Sequence, residues 1–101
     1  MPHDDVEPNV LRERLANGED LYLLDVREPF EVAEWAFPDA VNIPIGQLGD
    51  RTDELPTETT IVAICHSGVR SASAADALNN AGWHAENLAG GVVAWIAATE
   101  A

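Results

Sequence analysis

One short segment of this 101-residue chain carries the residue types that a reactive thiol needs: CHSGVRS, residues 65–71. It contains the only cysteine and directly follows TIVAI, an apolar run of strand length. Ser67 and Gly68 permit a tight turn whose backbone N–H groups point inward, and a helix is expected to begin near Val69. Such a loop binds anions, so we predict that it favours the nucleophilic thiolate of Cys65. The alternative is that Cys65 is the last core residue of its strand and acts as a small apolar side chain.

Arg70 lies at the predicted start of this helix. A cation is unfavourable at a helix N-terminus unless an anion binds there, so we predict that Arg70 binds an anionic ligand. His66 is expected to line the loop or to face an acceptor. It is not expected to act as a base on Cys65, because adjacent residues in a tight loop seldom face each other.

A second polar cluster, Asp25-Val26-Arg27, follows the apolar run LYLL. Both clusters come at the carboxyl ends of predicted parallel strands, so we expect them to face one crevice. Asp25 is predicted either to orient the loop amides or Arg70, or to cap the turn after its strand. Arg27 is predicted either to bind a donor molecule or to pair with Glu28 or Glu31 at the surface.

Strand-like and helix-like segments alternate along the chain, which predicts an α/β fold with a mainly parallel sheet covered by helices on both faces. The predicted strands are residues 21–26, 40–44, 60–65 and 84–89, and the main predicted helices are residues 7–18, 28–35, 69–82 and 91–99. The side chains predicted to face inward include Val10, Leu11, Leu15, Phe30, Ala33, Trp35 and Trp95. Gly90 and Gly91 are expected to form a sharp turn near the site.

Eighteen acidic residues oppose five arginines, and there is no lysine, so the formal charge is −13. Self-repulsion at this charge weakens a compact fold in dilute buffer, whereas at molar salt the Debye length falls to ~3 Å. We therefore hypothesise a halophilic source; the alternative is an ordinary acidic domain with solvated carboxylates. Nucleic acids and anionic membranes are poor candidate partners for this surface.

The length predicts a single domain over residues 1–101. One cysteine excludes an intramolecular disulfide or a multi-cysteine metal site, and no metal or other cofactor is expected. The start, MPHDDVEPNV, has neither the basic nor the apolar region of a signal peptide, and the apolar runs are too short to span a bilayer. We expect a cytoplasmic protein.

Three motifs, taken together, resemble the single-domain rhodanese-like sulfurtransferases: LLDVREPFEVAEWAFPDAVNIP, IVAICHSGVRS and NLAGGVVAW. The resemblance extends from about Leu21 to Trp95. It implies the rhodanese-like three-layer fold, with a mainly parallel sheet of about five short strands. One departure is Trp35-Ala36-Phe37, where the family commonly has Gly-His-Ile, and another is Asp39 in place of a glycine.

The resemblance also implies an activity and the residues that perform it. A thiosulfate-like donor would load Cys65 with sulfane sulfur, and cyanide, a thiol or a protein would accept it. The implied substrate-binding residues are His66, Ser67, Gly68, Val69, Arg70 and Ser71, with Asp25 and Arg27 in supporting positions. Two alternatives remain. Phosphatases and arsenate reductases of the same fold have five residues between cysteine and arginine where this chain has four. A non-catalytic interaction module would have been free to lose either residue.

Overall fold

The computed structural model of the protein describes residues 2–100. Its strands are β1 (Asp4–Val6), β2 (Leu21–Asp25), β3 (Val41–Asn42), β4 (Thr60–Ile64) and β5 (Ala85–Leu88). Its helices are α1 (Pro8–Ala16), α2 (Pro29–Glu34), α3 (Ile45–Leu48), α4 (Val69–Asn80) and α5 (Gly91–Thr99), with a 3-10 helix at Thr52–Glu54. Within residues 2–100 no helix has the length and apolar character needed to cross a lipid bilayer.

The five strands form one sheet in the order β1-β5-β4-β2-β3, and every pair is parallel. The predicted α/β class with a mainly parallel sheet is therefore confirmed. Asp25 at the end of β2 is in register with Ile64 at the end of β4. The loops that follow these two neighbouring strands therefore leave the sheet side by side. This is the arrangement expected if the two polar clusters face one crevice.

Helices cover both faces of the sheet because the central strands are buried on both sides. In β4, Ile61 and Ala63 point to one core, and Val62 and Ile64 point to the other. The first core contains side chains from α3 and α4: Leu48, Ala74, Ala75 and Leu78. The second contains side chains from α1 and α5: Leu11, Val92 and Trp95.

Several predicted inward side chains were assigned correctly and others were not. Leu11 and Trp95 are buried, but Val10 is exposed. The prediction for α2 is wrong: Phe30 is 69% exposed, Ala33 is exposed, and the helix has no buried residue. This helix instead depends on its first turn, where Glu28 and Glu31 form a reciprocal capping box.

The segment that departs from the expected family pattern contributes to the second core, where Phe37 is buried and Trp35 packs against it. Phe37 is buried, with its ring centroid 4.6 Å from that of Trp95 and 5.9 Å from that of Trp35. Asp39, which stands where a glycine was expected, has a φ of 62°. This left-handed conformation favours glycine, and aspartate tolerates it better than most other residues.

Candidate functional site

Cys65 lies in the first position after β4, and its sulfur is surrounded by hydrogen-bond donors. The backbone N–H of Gly68 is 3.1 Å from Sγ, the N–H of Ser71 is 3.4 Å away, and the Ser71 hydroxyl is 3.2 Å away. Gly68 has a φ of 96°, which lets the chain turn back over the sulfur before α4 begins. The residue is 1% exposed, so a reagent must enter the loop to reach the sulfur.

Opposing effects act on the pKa of the Cys65 thiol. Burial raises it, while the Ser71 hydroxyl and the backbone N–H groups of Ser71, Gly68 and Ser67 lower it. The hydrogen bonds outweigh burial, and the pKa of Cys65 lies below its ordinary value. Hydrogen bonds to a thiolate stabilise the charged form, so the loop favours the nucleophile.

The first turn of α5 holds the other side of the loop. The N–H groups of Val92 and Val93 donate to the carbonyl oxygens of Cys65 and His66, at 2.9 and 3.1 Å. Gly91 makes this approach possible, because a Cβ there would lie 2.4 Å from the Cys65 carbonyl oxygen. Gly90 and Gly91 both have positive φ, as the predicted sharp turn requires. With the carbonyl groups bound by α5, the loop N–H groups face the sulfur.

Arg70 is bound to a carboxylate that was not predicted as its partner. Its two terminal nitrogens donate to the two carboxylate oxygens of Glu31, at 2.7 and 2.8 Å. The hydrogen bonds from Arg70 lower the pKa of Glu31 to about 2, against the raising effect of burial. Two of the five guanidinium N–H groups are used here, which leaves three for a further anion.

Asp25 and Arg27 form a buried ion pair at the carboxyl end of β2. The Arg27 Nη2 lies 2.7 Å from Asp25 Oδ2, its Nε lies 3.0 Å from Oδ1, and the Arg27 backbone N–H also donates to Oδ1. The Arg27 guanidinium continues to the carbonyl oxygen of Trp35 at 2.7 Å. Each member satisfies the other's charge in a site where an unpaired charge would be costly.

One of the two roles predicted for Asp25 is observed: its Oδ1 accepts a hydrogen bond from the backbone N–H two positions further on, which caps the turn after β2. Among the residues that the structure describes, Asp25 has no direct hydrogen bond to the Cys65 loop amides or to Arg70, and an orienting role toward those groups stays a prediction. Arg27 is 2% exposed and does not pair at the surface with Glu28 or Glu31. Its contact with Glu31 is instead a 3.4 Å hydrogen bond to the backbone oxygen. Donor binding by Arg27 remains a prediction.

A cavity of about 370 Å³ adjoins the loop and brings the two polar clusters together. It is lined by Arg27, Phe30, Glu31, Glu34, Trp35, His66, Val92, Val93 and Ile96. His66 is exposed on this wall, and a role facing an acceptor stays a prediction. The remaining loop residues Ser67 and Val69 are also exposed, and the Val69 side chain is 75% exposed. The opening of the loop therefore has an apolar rim beside acidic side chains.

One further polar residue reaches the site that was not predicted from the sequence, Asn87. Asn87 of β5 is 4% exposed, and its Oδ1 lies 2.6 Å from the Ser71 hydroxyl oxygen. Its Nδ2 donates to Asp5 Oδ1 at 3.1 Å. The sequence offered little signal for this residue, because the same short strand also contains Glu86 and only the fold shows that the Asn87 amide is buried and needs partners.

The chain is similar to known proteins in family, in sequence and in structure. The family model described as Rhodanese-like domain matches residues 7–98. A protein named Sulfurtransferase from Allochromatium vinosum is 37% identical over 93 residues, which cover 91% of this chain and 87% of that protein. YtwF of Bacillus subtilis, provisionally named a sulfurtransferase, is 36% identical over 100 residues, covering 99% and 97%. The crystal structure of a rhodanese-related protein from Thermoplasma volcanium has a TM-score of 0.89 and 30% identity, covering 96% and 94%.

Proposed function

The chain belongs to the rhodanese-like domain family, and we propose that it transfers sulfane sulfur, carried as a persulfide on Cys65, from thiosulfate or a similar anionic donor to a thiophilic acceptor. Relatives named as sulfurtransferases support a sulfur-transferring enzyme.

The proposed reaction has two displacements at sulfur. The Cys65 thiolate attacks the outer sulfur of thiosulfate, a new S–S bond forms, and sulfite leaves with the electron pair of the broken bond. An acceptor nucleophile then attacks the outer sulfur of the persulfide and releases the Cys65 thiolate. With cyanide as the acceptor the product is thiocyanate, and with a thiol it is a new persulfide.

The observation that carries the proposal is the group of donors around the Cys65 sulfur. N–H groups of Gly68 and Ser71 lie 3.1 and 3.4 Å from Sγ, next to the positively charged Arg70. Preorganised amides of this kind stabilise negative charge on a reacting atom without needing to rearrange. We assign the outer sulfur of the persulfide to the loop amides of residues 66–70 and the incoming donor to Arg70 and the neighbouring Arg27.

The acceptor is proposed to approach from the cavity lined by His66, Phe30 and Val93. The cavity, with a volume of about 370 Å³, has room for the thiol group of a protein as well as for cyanide. A reducing cytoplasm suits this chemistry, because thiol acceptors are plentiful there. No observation in the structure favours phosphate hydrolysis, and the short loop between Cys65 and Arg70 argues against it.

Intact-mass measurement after treatment with thiosulfate tests the proposal. The wild-type protein should gain one sulfur atom and lose it on addition of cyanide, with release of thiocyanate. The Cys65→Ala variant, which has no other cysteine, should gain nothing. A wild-type protein that folds normally and never gains sulfur from thiosulfate or another sulfane donor would leave an interaction module as the better description.

A further inference from the structure

Asn87 connects the edge of the sheet to the reacting sulfur. Its amide lies between Ser71 on α4 and Asp5 on β1, and β1 and β5 place Asp5 and Asn87 directly opposite each other. Asp5 is itself 3.1 Å from Nε2 of His3. A continuous hydrogen-bonded chain therefore runs from Asp5 through Asn87 and Ser71 to Cys65.

The direction of each hydrogen bond in this chain follows from the number of protons. The Asp5 carboxylate only accepts, so the Asn87 Nδ2 must face it and the Asn87 Oδ1 must face Ser71. An amide oxygen also only accepts, so the 2.6 Å contact requires the proton of the Ser71 hydroxyl. Ser71 has one such proton, although its oxygen also lies 3.2 Å from the Cys65 sulfur.

Resting on the proposed function, we propose that Asn87 is a positioning residue that competes with the Cys65 sulfur for the single hydroxyl proton of Ser71. While Cys65 is a thiol, its S–H donates to the Ser71 oxygen and the Ser71 proton stays on Asn87. When Cys65 is a free thiolate, Ser71 must turn its proton to the sulfur, which leaves two acceptor oxygens facing each other at Asn87. In the persulfide the negative charge moves to the outer sulfur, which the loop amides bind, and Ser71 can return to Asn87. Asn87 thus disfavours the empty thiolate relative to the loaded form.

The rate at which iodoacetamide alkylates Cys65, measured against pH, reports the ionisation of the Cys65 thiol. This measurement does not require any sulfur transfer. The Asn87→Ala variant frees the Ser71 proton, so its alkylation rate below the wild-type midpoint should rise about threefold to tenfold. In a Ser71→Ala background the same Asn87 substitution should change nothing. The proposal is overturned if Asn87→Ala slows alkylation, or if its effect is equally large without Ser71.

Because Asn87 is buried, its substitution could disturb folding, so a second variant changes an exposed residue instead. Asp5→Asn removes the carboxylate that orients Asn87, on a side chain that is 57% exposed. The Asn87 amide can then turn, so alkylation at low pH should also become faster, and Ser71→Ala should abolish this gain. Asp4→Asn is the matched control, since it removes the same charge from the adjacent position of the same strand.

The charged groups facing this end of the site are held constant in these comparisons. They are Arg70 and its partner Glu31 beside the sulfur, with His3 and Asp76 beyond Asp5. Asp4→Asn measures the general loss of one negative charge, and an effect of equal size in Asp5→Asn would contradict the proposal. Sulfur loading from thiosulfate is measured separately on every variant. If no protein gains sulfur from thiosulfate while the alkylation pattern is as expected, the proposed sulfur transfer is wrong. The role of Asn87 in controlling the ionisation of the Cys65 thiol then stands on its own.

Discussion

Arg70 and Glu31 form a two-pronged ion pair across 39 positions of sequence, with N–O distances of 2.7 and 2.8 Å. The pair joins the first turn of α4 to α2, next to the loop that we assign to an anionic donor. It explains how a cation is tolerated at this helix N-terminus, because the Glu31 carboxylate provides the anion. The same carboxylate reduces the positive field that Arg70 presents to an incoming donor.

Removing the Glu31 carboxylate should therefore accelerate sulfur loading. In Glu31→Gln the guanidinium of Arg70 is released toward the loop, and the second-order rate of loading by thiosulfate should rise about threefold to tenfold. Stopped-flow or quenched mass measurements give this rate. Glu34→Gln removes a carboxylate from the same cavity wall and serves as the control. A slower Glu31→Gln variant would show instead that the ion pair holds Arg70 in its working position.

The same ion pair should contribute to stability in a definite pH range. The pKa of Glu31 is lowered from an ordinary 4.5 to about 2, so its stabilising contribution is complete above about pH 4.5 and is lost as the pH falls toward 2. Because the pair is only partly buried, we expect about 1 kcal/mol. Urea unfolding of wild type and Glu31→Gln should differ by that amount at pH 6. The two curves should converge near pH 2, and a constant difference would contradict the assignment.

The sequence predicted the elements whose pattern is local. LYLLD and TIVAI are nearly continuous apolar runs, which is what a parallel strand buried on both faces requires, and both became central strands. Residues Asp4–Val6 have no such pattern, and they form a strand only because they pair with Glu86–Leu88. Phe30 was predicted to face inward from helical spacing, but α2 has no buried residue, and the buried phenylalanine is Phe37, which lies after the helix.

In the candidate site, too, the residues that could be predicted are those whose pattern is local. Cys65 and the N–H groups that approach it lie within seven consecutive residues, so the turn could be predicted from Gly68 and the neighbouring strand and helix. Glu31 and Asn87 reach the site from 39 and 16 positions away. Their contacts depend on which helices and strands become neighbours, and no local pattern carries that information.

Gly91 should be the glycine that is least tolerant of a side chain. A Cβ there would lie within 2.6 Å of carbonyl atoms of Cys65 and His66, which cannot move without breaking their bonds to α5. Gly91→Ala should cost on the order of 3 kcal/mol or more and should slow sulfur loading. Gly18→Ala is the matched control, since it also has a positive φ but has open space around it. Its left-handed strain alone should cost about 1–2 kcal/mol, as urea unfolding would show. Equal losses in the two variants would mean that α5 does not constrain the loop.

The net charge of −13 predicts that salt stabilises the fold. Raising the salt concentration from 0.1 M to 1 M shortens the Debye length from ~10 Å to ~3 Å, and repulsion among exposed carboxylates falls with it. The urea midpoint should rise with potassium chloride over this range. Equal midpoints at both concentrations would remove the support for a halophilic source and would favour an ordinary acidic domain.

Salt should also change the rate of the proposed reaction with thiosulfate. A dianion approaching a protein of charge −13 is repelled at long range, so the loading rate should increase as the salt is raised from 0.05 M to 1 M. Iodoacetamide is neutral and attacks the same sulfur, so its alkylation rate should change much less and corrects for any effect of salt on Cys65 itself. The quantity to measure is the rate of loading by thiosulfate divided by the rate of alkylation by iodoacetamide. If the ratio falls steeply with salt, the local field of Arg70 and the loop amides controls the encounter, and the charge of the whole surface does not.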